Sequence, residues 1–325
     1  MNWGDFPLVS IVTPTLQRVD YLERTLRSVR AQTYPNVEHI VVDGGSTDGT
    51  LALLERYAGT YNLHWISEPD RGMYDAINKG LRMANGEILA YLNSDDLYFP
   101  WTVDVAVEAF GDHPGADVVY GDAIRVDEIH RWVVPVFMPP FSTLASAAYG
   151  SLLQPVALLR RQVFDTLGGF DDRFAYVADM DFWLRAGDRF RFLRIAEFLA
   201  LEQRHVGMLS ETKRSEMAAE DVRMRAAYRR GIAASQIGRV AAHVRWHWWS
   251  GRSWFGFARA ARRGTGGWSR TIEACRPDVD AWTAVMGLLP SKGSRLRRTV
   301  RWGSDPLSIA SAADSDPLRP RPAGR

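Results

Sequence analysis

A strand–helix unit, repeated three times and closed by a fourth strand, constrains this chain more than any other feature. Residues 8–13, LVSIVT, form an apolar run that reads as a buried strand ended by Pro14. Val19, Leu22, Leu26 and Val29 follow at helical spacing, and TYPN breaks that helix. EHIVVD at 38–43 is a second strand, GGSTDGT a turn, and Leu51, Leu54 and Ala58 mark a second helix. LHWIS at 63–67 is a short third strand. Ala76, Ile77, Gly80, Leu81 and Ala84 line one face of the next helix, and EILAYL at 87–92 is the fourth strand. This alternation predicts an α/β fold with a mostly parallel central sheet flanked by helices. Ligands of such sheets sit beyond the carboxyl ends of the strands. Three polar clusters fall there: Thr13-Pro14-Thr15, Asp43-Gly44-Gly45-Ser46 and Asn93-Ser94-Asp95-Asp96.

Beyond residue 117 the runs shorten. DVVYG, AIRV, RWVV and QPVALLR read as strands, DTLGGFDDRF as a loop, and 179–186 as a helix start that Asp179 caps. Residues 189–201 read as further strand and 210–248 as mostly helical; the Ser/Ala/Pro/Arg-rich tail 303–325 reads as disordered. The predicted organisation is a catalytic domain over 1–210, a basic, mainly helical appendage over 211–302, and the tail.

Charge follows the same division. Residues 1–203 hold 17 Lys/Arg and 28 Asp/Glu, whereas residues 204–301 hold 20 and 7. In the stretch 243–263, Trp246, Trp249, Trp254, Phe257 and Ala261 fall on a rough stripe with Arg252, Arg259, Arg262 and Arg263 nearby, and Gly251 and Gly256 interrupt it. Trp beside Arg suits an anionic membrane surface; it equally suits packing on the catalytic domain or a homo-oligomer seam. The single cysteine, Cys275, excludes an internal disulfide or Cys-rich metal site and fits a reducing compartment. The N-terminus lacks the features of a secretory signal, and no uncharged apolar stretch reaches membrane-spanning length. A nucleic-acid role finds no reader motif.

Two carboxylate groups carry the chemistry. Asp95 and Asp96 form either an ordinary Asx turn or, beyond a sheet, a hard-cation site for Mg²⁺ or Mn²⁺ and substrate phosphates. Asp179 and Asp181 stand two residues apart and so do not share a helix face; one of them can deprotonate an attacking hydroxyl, and the alternative is a helix cap plus a surface charge. No GxxxxGK[ST] or GxGxxG motif is present.

The stretches VSIVTPTLQRVDYLERTLRSVRAQTYPNVEHIVVDGGSTDGT, SEPDRGMYDAINKGLRMANGEILAYLNSDD, LGGFDDRF and DMDFWLR, in this order, resemble the family 2 glycosyltransferases over roughly residues 7–210. The resemblance implies a GT-A fold and an inverting transfer from a nucleoside-diphosphate sugar of UDP, GDP or dTDP type to a glycan or lipid-linked acceptor in surface-polysaccharide synthesis. It implies a cytoplasmic location, peripheral on the inner face of the cell membrane. Carried over by motif, Thr13, Pro14, Thr15 and Asp43 hold the nucleobase and ribose. The acidic DxD motif falls on Asn93-Ser94-Asp95, with Asn in place of its first Asp. Asp95 then holds the divalent cation, and Asp96 lies close to the donor sugar. The family's Glu-Asp pair falls on Ala178-Asp179, which makes Asp179 the base. Arg71 reaches the base or the phosphates, or else pairs with Asp70 or Glu68. His205 resembles a histidine that in relatives closes over the diphosphate or touches the metal. Gly168-Gly169 supplies a tight turn below the acceptor pocket. The competing readings are a nucleotidyltransferase of the sugar-nucleotide pyrophosphorylase kind and a non-catalytic nucleotide-sugar-binding protein.

Overall fold

The computed structural model describes residues 6–129, 132–149, 152–187 and 189–232. In chain order the elements are β1 (Val9–Thr15), α1 (Val19–Arg30), β2 (Val37–Asp43), α2 (Thr50–Tyr57), β3 (Leu63–Ser67), α3 (Met73–Met83), β4 (Ile88–Tyr91), β5 (Leu97–Tyr98), α4 (Thr102–Asp112), β6 (Val118–Asp127), β7 (Trp132–Val136), α5 (Thr143–Tyr149), β8 (Ala157–Arg160), α6 (Arg161–Leu167), α7 (Ala178–Gly187), β9 (Phe192–Arg204), α8 (Leu209–Thr212) and α9 (Arg214–Ile232). They build one mixed sheet, ordered β3-β2-β1-β4-β8-β6-β9-β5 with β7 on β6. The strands β3, β2, β1 and β4 are mutually parallel. Beyond β4 the sheet mixes directions: β8 runs antiparallel to β4 and β6, while β9 pairs parallel with β6 along the longest register of the sheet.

The parallel half forms where its periodicity predicts, except that α2 buries Leu53, Leu54 and Tyr57, while Leu51 and Ala58, which marked its face in the sequence, are exposed. Every residue of β1 and β4 is buried, as in strands covered on both faces. The helix α1 turns Leu22, Leu26 and Val29 inward, each worth about 1.5–3 kcal/mol relative to exposure. In α3, Gly80 lies directly on the sheet; a Cβ there would meet Val12 Cγ1 at 2.4 Å, so only glycine permits this approach.

Pro14 does not end β1. Val9 N–H donates to Asn36 and Thr15 C=O accepts from Gly44, so the odd-numbered residues of β1 hydrogen-bond toward β2. The even-numbered ones face β4, whose pairing with β1 ends at Val12↔Tyr91. Pro14, without an N–H, therefore sits where no neighbouring strand needs one.

The runs DVVYG and AIRV are one strand, β6, with a register irregularity around Gly121 and Asp122. Gly-Asp reads locally as a turn, yet a Cβ on Gly121 would meet the Glu197 carbonyl at 2.5 Å, so the glycine serves close approach of β9 at a bulge. QPVALLR is strand only from Ala157; Gln154–Val156 form a 3-10 turn. The apolar pattern gives no sign of α4, α5, α6 or β5, and Asp165–Leu167, read as the start of a loop, close α6. Asp179 is not a cap: α7 begins at Ala178, and Asp179 lies in its first turn.

The expected boundary at residue 210 falls before α9, and α9 packs against the first unit. Met224 is buried with Ala147, Val177 and Leu184. The Trp/Arg stripe at 243–263, the tail and Cys275 lie outside the described residues. Among the described residues, no helix is long and apolar enough to cross a membrane.

Candidate active site

The carboxyl ends of β1, β2 and β4 gather the polar clusters. Thr15 and Asp43 are register partners. Asp43 is fully buried; its Oδ2 accepts from Ser67 Oγ at 2.6 Å, Ser46 N at 2.9 Å and Gly45 N at 3.2 Å. Its Oδ1 and the Thr15 hydroxyl are buried with no hydrogen bond among the described residues. A buried unmatched oxygen costs about 1–3 kcal/mol, so this paired gap is suited to a ligand's polar groups. Thr13 shares the face of Thr15 but its hydroxyl is taken by His39 Nε2 at 2.9 Å. His39 is fully buried and in turn meets Tyr61 Oη at 2.8 Å; burial depresses its pKa to about 3, so the ring is neutral.

After β4 the chain turns through Asn93–Asp96, closed by Asp96 N–H donating to Asn93 O. The Thr25 hydroxyl of α1 lies 2.9 Å from the carbonyls of both Ser94 and Asp96 and pins the turn from below. Asn93 Nδ2 meets Gln154 Oε1 at 3.3 Å and Asp96 Oδ2 at 3.5 Å, while its Oδ1 is buried without a partner among the described residues. Asp96 is buried; loss of solvent, then the charges of Asp95 and Glu202, push its carboxyl well above the usual range, against the N–H of Gln203. Asp95 faces outward from the same turn. Its Oδ2 lies 3.1 Å from His205 Nε2, and Gln203 Nε2 donates to its carbonyl at 2.6 Å. His205 is 3% exposed, its ring stacked on Tyr21 at 4.2 Å between centroids.

Asp179 stands at the start of α7. Tyr74 Oη donates to its Oδ1 at 2.9 Å, and Met180 N–H donates to the same oxygen at 2.8 Å; Oδ2 accepts no hydrogen bond among the described residues. Burial raises the Asp179 carboxyl above its ordinary value, partly offset by the Tyr74 hydroxyl. Tyr91, a buried phenol at the end of β4, is raised first by burial, then by the charge of Asp179, with Tyr74 and Asp96 also contributing. Asp181 is occupied otherwise. Arg185 binds its Oδ2 at 2.7 Å and Tyr228 donates to Oδ1 at 2.6 Å.

Arg71 pairs with neither Asp70 nor Glu68. Its guanidinium binds Asp75 at 2.9 Å and Asp172 at 2.5 Å and remains largely exposed. The Gly168-Gly169 turn takes φ of +73° and +88°, and Asn78 clamps the backbone of Phe170 just after it, with bonds of 2.7 and 2.9 Å. The structure thus brings Asp95 to His205, and Thr15 to Asp43. It separates Thr13 and Asp181 into structural pairings. Tyr74, Tyr21, Gln154 and Gln203 escaped sequence reasoning; each touches a site residue far away in the chain, and no local pattern marks them.

Asp95 and His205 suit a divalent cation by donor type: carboxylate oxygen and imidazole nitrogen on neighbouring atoms, with an orphaned Asn93 oxygen in the same turn. Among the described residues no group of three or more His, Cys, Asp or Glu is assembled. Such a pair would leave most coordination positions to phosphate oxygens and water.

This is an α/β protein with carboxylates gathered where its parallel strands end. The model of glycosyl transferase family 2 matches residues 10–166. An uncharacterized glycosyltransferase of Mycobacterium tuberculosis is 37% identical over 185 residues, covering 55% of this chain and 69% of that protein. A PGL/p-HBAD biosynthesis glycosyltransferase of Mycobacterium bovis is 34% identical over 182 residues, with 55% and 69% covered. The chain belongs to glycosyl transferase family 2 and is thereby classed as a glycosyltransferase. Solved structures share the fold. S. aureus TarS in complex with UDP-GlcNAc gives a TM-score of 0.52 at 21% identity, over 62% of this chain and 60% of that one. The mannosyltransferase PcManGT from Pyrobaculum calidifontis, in complex with GDP-Man and Mn²⁺, gives 0.54 at 21% identity, over 85% and 83%. Against another TarS structure, the match covers only 41% of that chain.

Proposed function

We propose that this chain, as a glycosyltransferase of GT-A type, moves a sugar from a nucleoside-diphosphate sugar to a hydroxyl of a glycan or lipid-linked acceptor, with inversion. The observation that carries the reading is Asp179, a carboxylate with one oxygen held by Tyr74 and Met180 and the other free to take a proton. Thr15 and Asp43 offer matched polar atoms to the nucleoside. Asp95 and His205 would hold the cation, Mn²⁺ or Mg²⁺. When bound, the cation supplies positive charge against the leaving diphosphate. Asp179 Oδ2 accepts the proton of the acceptor hydroxyl. The hydroxyl oxygen forms a bond to C1 as the bond from C1 to the diphosphate oxygen breaks on the opposite face, and the electron pair leaves with the diphosphate. One displacement inverts the anomeric carbon and requires no protein nucleophile. The basic region 204–301 supports a lipid-linked acceptor at an anionic surface.

A thermal-shift panel of UDP, GDP and dTDP sugars, each with and without Mn²⁺, tests the reading. Bound donor raises Tm by mass action, so one base class stabilises more than the others and more with metal. No stabilisation by any nucleotide sugar, with or without metal, would overturn it.

A further inference from the structure

The helix α9 grips the segment that carries Asp179 from both sides. Glu220 is 5% exposed, and its carboxylate accepts three consecutive backbone N–H groups: Ala175 at 2.9 Å, Tyr176 at 2.6 Å and Val177 at 3.2 Å. These residues immediately precede α7, whose N-terminal dipole favours an anion at that place. The carbonyl of Tyr176 lies 3.3 Å from Tyr74 Oη, the hydroxyl that donates to Asp179. On the far side of Asp179, Tyr228 of the same helix holds Asp181 at 2.6 Å. Arg225, also buried, anchors α9 by donating to the carbonyls of Ser146 and Ala147. A buried carboxylate spent wholly on three amides of one short loop fixes that loop's backbone in a single conformation.

We infer that Glu220 is a positioning residue for the reaction: by clamping residues 175–177 it fixes the Tyr74 hydroxyl and the direction in which Asp179 presents its free oxygen. The inference rests on the reading of Asp179 as the base. It makes α9, the entry to the basic C-terminal region, a part of the catalytic apparatus, although none of its residues need touch substrate. A neutral amide at position 220 fills the same volume but carries an NH₂ that cannot accept from the loop. Its one remaining oxygen can still accept from Tyr176 and Val177, so Glu220→Gln removes the charge and the Ala175 bond and loosens the clamp without opening a cavity.

The test compares wild type, Glu220→Gln, Asp179→Asn and the double variant. Turnover is read as release of nucleoside diphosphate from UDP-N-acetylglucosamine or GDP-mannose, whichever the wild type uses. Amide hydrogen exchange is followed at 175–177. In Glu220→Gln the exchange protection of those amides falls, most at Ala175, whose acceptor the NH₂ replaces. Its kcat drops on the order of 10- to 100-fold, the scale of a small misplacement of a reacting group, while the donor KM stays put. In the Asp179→Asn background the same change costs nothing further, because both variants act through one group. A dead Asp179→Asn beside a Glu220→Gln with normal kcat overturns this inference alone, as does an equal loss in both backgrounds. An active Asp179→Asn overturns the base assignment and this inference with it. Should Glu220→Gln not accumulate as folded protein, Glu220→Asp, with the charge kept on a shorter stem, is judged by the same criteria.

Discussion

His205 Nε2 lies 3.1 Å from Asp95 Oδ2, joining the end of β9 to the turn after β4 across 110 residues. Two further contacts keep the pair in place: Gln203 holds the Asp95 carbonyl, and Tyr21 stacks on the imidazole. If this pair binds the cation, Asp95→Ala and His205→Ala should each abolish the extra thermal stabilisation that Mn²⁺ gives in the presence of nucleoside diphosphate. The Asp95 variant should also lose transfer. Full activity of the wild-type chain in excess EDTA would rule the cation out.

Asp179 and Asp181 should separate cleanly. Asp179→Asn keeps nucleotide binding but lowers kcat by a factor on the order of 10²–10⁴, the usual contribution of a positioned base. Asp181→Asn weakens the pair with Arg185 within α7 and the link from α7 to Tyr228 of α9, and is expected to cost about 1–3 kcal/mol of stability with a smaller effect on kcat. Chemical denaturation and steady-state kinetics on both variants decide it. A stable, inactive Asp181→Asn beside an active Asp179→Asn would reverse the roles.

The pH dependence of transfer should carry the signature of Tyr74. The Asp179 carboxyl is raised by burial and lowered by the Tyr74 hydroxyl, which stabilises its charged form. A base must be ionised to act, so kcat rises with pH along an acidic limb set by this group. Tyr74→Phe removes the stabilising hydrogen bond, so the limb should move to higher pH. A pH–rate profile with an unmoved or lower limb contradicts the arrangement.

His39 should make the fold acid-sensitive. Its pKa is about 3 in the folded chain against an ordinary value of 6.5, because burial disfavours the charged ring. Between these values the unfolded chain binds more protons, so stability is complete above pH 6.5 and falls as the pH drops toward 3, by about 1.4 kcal/mol per unit at the steepest. His39→Gln, whose side chain does not titrate, should flatten this part of the stability–pH curve while lowering stability at pH 7. Urea titrations from pH 7 to 4 measure the slope; equal slopes in both proteins would remove His39 from the account.

What the sequence determined by itself was local and periodic. Short apolar runs and 3.6-residue patterns over 8–92 specify the parallel strands, their covering helices and the placement of Thr15, Asp43 and Asp95 at strand ends, because each pattern is written in neighbouring residues. Even Pro14 and Gly121 misled only locally, since the fitness of each depends on whether a neighbouring strand is alongside. The tertiary structure alone decided which distant residues meet. The Leu97↔Leu201 pairing of β5 with β9 carries His205 back to Asp95, and α3 packs so that Tyr74 reaches Asp179 across 105 residues. Folding α9 back over α7 gives Glu220 its three amides. Such contacts leave no periodic trace. Their stability comes from burying surfaces far apart in the chain, so the residues that orient the site stay silent until the chain closes on itself.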